Sequence, residues 1–222
     1  MPQQKRLGAP VNLWIGFLAA ANLLVAFPQI DLTWANLFYR PGVGFPAHGS
    51  AWERLFYHSV PVLMVAVNLG LVLLWWSNQR TGRCRLGLDG RRLAVLLGLL
   101  ILVPGLLVNG LLKEHWGRAR PADVVEFGGA RQFTPAFIPS DQGGRSFSSG
   151  HVAAAGYLII VALALTGARS RWLAAALVYT ALVVWSRMAA GAHFLSDALT
   201  SLFLVLLGAE ALRRLLEPDR NW

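Results

Sequence analysis

Leu93-Ala-Val-Leu-Leu-Gly-Leu-Leu-Ile-Leu-Val-Pro-Gly-Leu-Leu-Val-Asn-Gly-Leu-Leu112 runs without a charge from Arg92 to Lys113. About 20 mostly apolar residues are what a helix needs to cross the hydrocarbon core of a bilayer. Two earlier runs have the same character: residues 7–30, uncharged between Arg6 and Asp31, and residues 55–79, uncharged between Arg54 and Arg80. The first is too long for the apolar region of a cleaved signal peptide, and no small-residue cleavage site follows it, so it reads as a retained span. Three further runs, at about 147–166, 172–190 and 194–212, contain His151, Arg187, His193 and Asp197. Ionisable groups in a span cost about 2.5–3.5 kcal/mol each on insertion scales, so they mark functional positions by default. The expected fold is all-α: a polytopic membrane protein with six transmembrane helices in one bundle, forming a single domain over residues 1–222.

Composition agrees. Of 222 residues, 55% are hydrophobic and 14% charged, against about 25% charged in soluble domains. Mean hydropathy is +0.50. These values exclude an ordinary water-soluble globule, a disordered chain and a collagen-like repeat. One cysteine, Cys84, allows no disulfide framework and no cysteine-rich zinc site. A net charge of +9 can point to nucleic acid, but the cations sit between apolar runs. The expected partner is therefore the lipid bilayer, not nucleic acid. The sequence names no oligomeric state.

Lys and Arg accumulate in cytoplasmic loops. Lys5, Arg6, the run Arg80, Arg83, Arg85, Arg91 and Arg92, Arg169, Arg171, Arg213, Arg214 and Arg220 fall on one side of a six-span chain. That side carries more cations than the other, so both termini are expected in the cytoplasm of a bacterial inner membrane. Loops 31–54 and 113–146 and the turn from Arg187 to Asp197 then face the periplasm. The 113–146 connection exceeds the length of an ordinary turn. Its apolar residues, among them Phe127, Phe133 and Phe137, suggest a segment that covers a site. Loop 31–54, with Trp34, Phe38, Tyr39 and Trp52, has an interfacial composition.

Three clusters share that outer side. In Lys113-Glu-His-Trp-Gly-Arg-Ala-Arg120-Pro121, the two end cations are about two helical turns apart and would share a face if the segment were helical. Arg118, Glu114 and His115 lie off that face and suit rim or structural roles. Ser146-Phe-Ser148-Ser149-Gly150-His151 leads into an apolar run. Ser and Gly there are cap chemistry, and a helix N-terminus suits an anion such as phosphate. His151 would point into that site from the first turn. In Ser186-Arg187-Met-Ala-Ala-Gly191-Ala-His193-Phe-Leu-Ser-Asp197, His193 and Asp197 are four apart, neighbours on one helix face. A carboxylate bonded to one imidazole nitrogen fixes the tautomer and frees the other as nucleophile or base. Taken singly, each feature has a bland explanation: a snorkelling cation, a helix cap, an interfacial histidine. Three cations, two histidines and a carboxylate at one membrane face do not. Zinc is disfavoured, because metal sites are built from neutral His and carboxylates, not cations. His48 and His58 have no partners at informative spacing.

These clusters resemble the three signature motifs of the type 2 phosphatidic acid phosphatase superfamily: Lys-x6-Arg-Pro at Lys113, Arg120 and Pro121; Ser148-Ser149-Gly150-His151, with Ser148 where the family usually has Pro; and Ser-Arg-x5-His-x3-Asp at Ser186, Arg187, His193 and Asp197. The resemblance covers 113–197 directly. It implies phosphate-ester or diphosphate hydrolysis through a phosphohistidine, with no metal and no cofactor. His193 would attack phosphorus, oriented by Asp197. Lys113, Arg120, Arg187, Ser149 and Gly150 would bind the phosphoryl oxygens, and His151 would protonate the leaving oxygen. The loop from Arg120 to Gly129, followed by Phe133-Thr-Pro, resembles the branch acting on lipid A. Undecaprenyl diphosphate and phosphatidylglycerol phosphate are the alternative lipids. Transfer to a lipid acceptor and non-catalytic lipid binding or transport are the alternative functions. Arg118, Arg131 and Arg145 are expected to offer a basic surface to a polyanionic headgroup.

Overall fold

The computed structural model describes residues 11–218. Among them the chain is helical, with only isolated β-bridges. Helix α1 spans Val11–Ala26 and α2 spans Gln29–Asn36. Between them the chain turns by 82°, at Phe27 and Pro28. The expected first span thus stops short of Ile30, and Leu7 to Pro10 lie outside the described residues. Proline at the start of α2 needs no backbone donor there, and Asp31 follows in its first turn.

Helix α3, Ala51–Thr81, begins at Ser50, whose hydroxyl accepts from Glu53 N–H, and ends at Gly82 in the left-handed conformation. Helix α4, Gly90–His115, opens on an Asp89 cap. From Ile101 to Leu112 it adopts the wider π register. Pro104 lies in this stretch, and the Asn109 amide donates to the Pro104 carbonyl at 2.7 Å. Helices α5 (Gly150–Thr166), α6 (Arg171–Ala189) and α7 (Leu195–Leu216) complete the bundle. Four helices, α3, α4, α6 and α7, have the length and apolarity of membrane spans; α1 with α2 forms a bent pair, and α5 is shorter.

Helix α5 sits at the centre, packed on α6 and α7. It is rich in Ala and Gly, and nearly all of its first turns are buried, because small residues let backbones approach closely where lipid supplies no hydrophobic drive. Some polar groups inside the bundle pair with one another, as a water-free core favours. Tyr157 Oη donates to Asn68 at 2.6 Å, and Thr180 Oγ1 donates to the Ala155 carbonyl at 3.0 Å. The outward faces of α1, α3, α4 and α6 expose large apolar side chains such as Ile15, Val65, Leu106 and Val178.

The two ends differ. At one, Asn78 holds the Arg85 and Leu88 carbonyls, while Arg92 reaches the Ala164 carbonyl and Glu217. The Arg-rich connections gather there. At the other end, segments 31–54 and 113–146 build a second core, from Ala35, Phe45, Ala119, Val124 and Phe127, together with Phe194 before α7. The long loops expected from sequence are thus a packed cap, part of it helix α2.

Candidate active site

Beneath the cap, the ends of α4, α5, α6 and α7 bring the three motifs together. Helix α4 ends at His115, and Gly117 breaks away with φ +72°. Lys113 lies in its last turn, whereas Arg120 has extended backbone before the short turn Pro121–Asp123. The two cations therefore do not share a helix face. A loop, not helical periodicity, brings them together, and Lys113 feels the charges of Arg120, Arg145 and Arg187.

Ser149 occupies the N-cap position of α5, but its hydroxyl makes no capping bond. The buried Oγ atoms of Ser148 and Ser149 and the buried Nε of Arg187 have no hydrogen-bond partner among the described residues. An unsatisfied buried donor costs about 1–3 kcal/mol. Donors of this kind beside a helix N-terminus are chemically suited to an anion. Gly150 admits no side chain, since a Cβ there would lie 2.3 Å from Asn109 Oδ1. His151 follows in the first turn. Its ring lies 4.5 Å from that of Tyr57, and its Nε2 is 3.2 Å from the Tyr57 carbonyl. One of its nitrogens is therefore turned toward α3 rather than left open.

Helix α6 delivers Arg187, which forms a buried ion pair with Glu53 of α3 and lies over the Tyr57 ring. The chain then turns through Gly191, at φ +63° and with the Phe45 ring 2.5 Å from where a Cβ would sit. Both features restrict the position to glycine.

His193, 4% exposed, meets the Ser146 carbonyl through Nδ1 at 2.8 Å. Its distance to Asp197 Oδ2 is 3.8 Å, which departs from the direct carboxylate–imidazole bond expected from sequence. The reason is competition. Asp197 Oδ2 already accepts from Ser146 Oγ at 2.6 Å and from Phe194 N–H at 2.8 Å, while Oδ1 accepts from Arg118 at 2.6 Å. With Nδ1–H donated to a carbonyl, Nε2 carries the lone pair. Burial holds the His193 pKa below the usual 6.5. The Asp197 carboxylate opposes that shift, and Arg187 and Arg120 add to it.

Sequence reasoning missed the groups behind this surface. Arg118, expected in a rim or structural role, is fully buried and bonds Asp31 at 2.8 Å as well as Asp197. Burial works against its charge, but Asp197 and Asp31 outweigh it and raise its pKa. Asp31 and Glu53 also went unnoticed. Their signal was weak but present: acids bordering apolar runs in a chain with only 11 acids. Of the three cations expected to offer a basic surface, only Arg131 and Arg145 are accessible to solvent, and both have an acidic neighbour. Arg118 is inaccessible, Arg145 pairs with Glu114, and Arg131 lies 3.9 Å from Asp123.

Two cavities meet the cluster. One, of about 720 Å³, runs between α3 and α4, with Val60, Met64, Val65 and Ile101 along it and Lys113, Gly150 and His151 at its end. The other, of about 340 Å³, lies under the cap and is lined by His48, Asp123, Arg120 and Arg187. Among the described residues, no group of three or more His, Cys, Asp or Glu could hold a metal ion.

An all-helical chain with membrane-length helices and an anion site of cations, serines and histidines at one end has the make-up of a membrane phosphatase. The chain belongs to the PAP2 superfamily, whose pattern matches residues 92–218. It is 30% identical over 228 residues to a Rhizobium leguminosarum protein named lipid A 4'-phosphatase, covering 94% of this chain and 95% of that one. A Francisella tularensis subsp. novicida (strain U112) protein of the same name is 28% identical over 200 residues, covering 83% and 82%. The fold is similar to the crystal structure of a PAP2-type phosphatidylglycerolphosphate phosphatase from Bacillus subtilis. The TM-score is 0.56 at 20% identity, with 96% of this chain and 98% of that one covered.

Proposed function

We propose that this chain is a single-domain bacterial inner-membrane lipid phosphatase that removes a phosphate from lipid A through a phosphohistidine on His193. The observation that carries this reading is the His193 imidazole. Its Nδ1–H is committed to the Ser146 carbonyl, in a buried site where unpartnered donors and the cations Lys113, Arg120 and Arg187 await an anion. The names of the relatives supply the lipid.

His193 Nε2 attacks phosphorus, and the bond from phosphorus to the lipid oxygen breaks. His151 gives the leaving oxygen its proton. Water then cleaves the phosphorus–nitrogen bond and releases phosphate. Lys113, Arg120, Arg187, the Ser149 hydroxyl and the Gly150 N–H hold the phosphoryl oxygens; such fixed donors supply most of the catalysis in phosphoryl transfer. The charge is met by side chains, so the reaction needs no metal. The α3–α4 groove takes the apolar part of the lipid from within the bilayer. The polar cavity at Arg120 and Arg187 admits water, which favours hydrolysis over transfer to a second lipid.

In this reading the bent α1–α2 pair and α5 join α3, α4, α6 and α7 as six spans. Both termini lie with the Arg-rich end in the cytoplasm, and the site faces the periplasm. Helix α5, at about 1.5 Å per residue, is short for a span, but its neighbours surround it.

The test is phosphate release by purified protein in detergent with EDTA, from lipid A, undecaprenyl diphosphate and phosphatidylglycerol phosphate. Wild type is expected to release phosphate, fastest from lipid A, and His193→Ala to release none. EDTA-sensitive turnover or an active His193→Ala variant overturns the mechanism. Faster release from either other lipid moves the substrate assignment.

A further inference from the structure

Arg118 is the best-connected side chain near the site. Its Nε donates to the Thr134 carbonyl of the cap at 2.8 Å. Its Nη1 donates to Ser196 Oγ at 2.8 Å and Asp197 Oδ1 at 2.6 Å, and its Nη2 donates to Asp31 Oδ2 at 2.8 Å. The guanidinium lies over the Phe194 ring at 4.5 Å. Asp31 in turn accepts from Ser196 N–H at 2.9 Å and Ser196 Oγ at 2.5 Å. One cation thus fastens α2 and the cap to the first turn of α7. None of these groups lines either of the two cavities that meet the cluster.

We propose that Arg118, backed by Asp31, is a positioning residue that draws the Asp197 carboxylate away from the His193 imidazole and sets how strongly that carboxylate acts on it. The inference rests on His193 being the nucleophile. Without Arg118, Asp197 Oδ1 would lose the one charged partner it has among the described residues, and two carboxylates would stand behind the imidazole with no cation between them. The charge that His193 feels comes from Asp197 on α7, Arg187 on α6, Arg120 in the cap and His151 on α5. Arg118 and Asp31 are the pair whose balance can be changed without touching the phosphate site. An excess of negative charge at this distance favours the imidazolium, which is no nucleophile.

The experiment is the pH dependence of kcat/KM in detergent on one lipid phosphate, so that the substrate's own titration is common to every variant. In wild type, the neutral imidazole is lost as pH falls through the lowered pKa of His193, so activity persists below pH 6.5. Arg118→Met makes the surroundings more negative and is expected to move this acid limb up by about one pH unit. Asp31→Asn makes them more positive and moves it down. Arg118→Lys keeps the charge without the fork of donors; kcat should drop about tenfold or more, with KM and the limb nearly unchanged. A purely structural role lowers activity equally at all pH values and leaves every limb in place, and that outcome overturns the proposal. Should Arg118→Met fail to fold, Asp31→Asn decides alone: a lowered limb supports the proposal and an unmoved limb overturns it. His193→Ala, run in parallel, separates this failure from failure of the nucleophile assignment, since an active His193→Ala protein removes both.

Discussion

Gly150 shows how little space the anion site leaves. Asn109, tied back to the Pro104 carbonyl, occupies the position where a Cβ on Gly150 would be built. Gly150→Ala would have to displace the Asn109 side chain or the α5 N-terminus. Overpacking of this kind costs about 1–3 kcal/mol, which at the transition state is about a ten- to hundredfold loss of kcat. Removing the obstacle should restore part of it, so steady-state rates of the Gly150→Ala and Asn109→Ala/Gly150→Ala proteins test the contact directly. A double variant no better than the single one would show that the clash is not the cause. The motif glycine and histidines were legible as residue types at a spacing. Asn109 was not, because its contact with Gly150 depends on the π register of α4, which periodicity of apolar residues does not encode. Asp197 is a similar case. Its place four residues after His193 announces a pair, but Ser146, Phe194 N–H and Arg118 hold its oxygens.

Among the elements, α3 and α4 form the wall through which a lipid would reach the site. Their facing surfaces are apolar up to Lys113 and His151 and enclose the 720 Å³ groove. Met64→Trp places a large ring in this groove, about two helical turns along α3 from Tyr57. Turnover of a long-chain lipid phosphate should fall by about tenfold, while hydrolysis of a short, water-soluble phosphomonoester should stay within about twofold, since it needs no groove. Equal loss on both substrates would mean that the groove carries no lipid chain. The spans α3 and α4 could be read from uninterrupted apolar runs, and their caps at Ser50 and Asp89 follow ordinary rules. The bend between α1 and α2 could not be read, because the apolar run continues through it to Ile30. The turn is set by what Asp31 must reach, Arg118 and Ser196 on distant segments.

At the level of the whole molecule, the Arg-rich end and the capped end define an orientation that native Cys84 can report. It is the single cysteine of the chain, exposed and placed in the connection between α3 and α4, at the end away from the motifs. In intact spheroplasts a membrane-impermeant maleimide should leave Cys84 unmodified and react once the membrane is broken. In a Cys84→Ser background, Ile138→Cys in the exposed cap should react without disruption. Labelling of Cys84 in intact spheroplasts would reverse the topology. The sequence by itself determined that the chain is helical and apolar enough for a membrane. It also singled out three clusters in the second half as the expected site, and their resemblance to family motifs pointed to phosphate. Each of these rests on local composition and short spacings. Only the tertiary structure decided that loops 31–54 and 113–146 are a packed cap, that Arg118 is buried between two aspartates, and that Glu53 holds Arg187. These depend on charges far apart in the chain. Such partners find each other because a buried ion without a counter-charge is costly, and no local pattern says which distant residue will supply it.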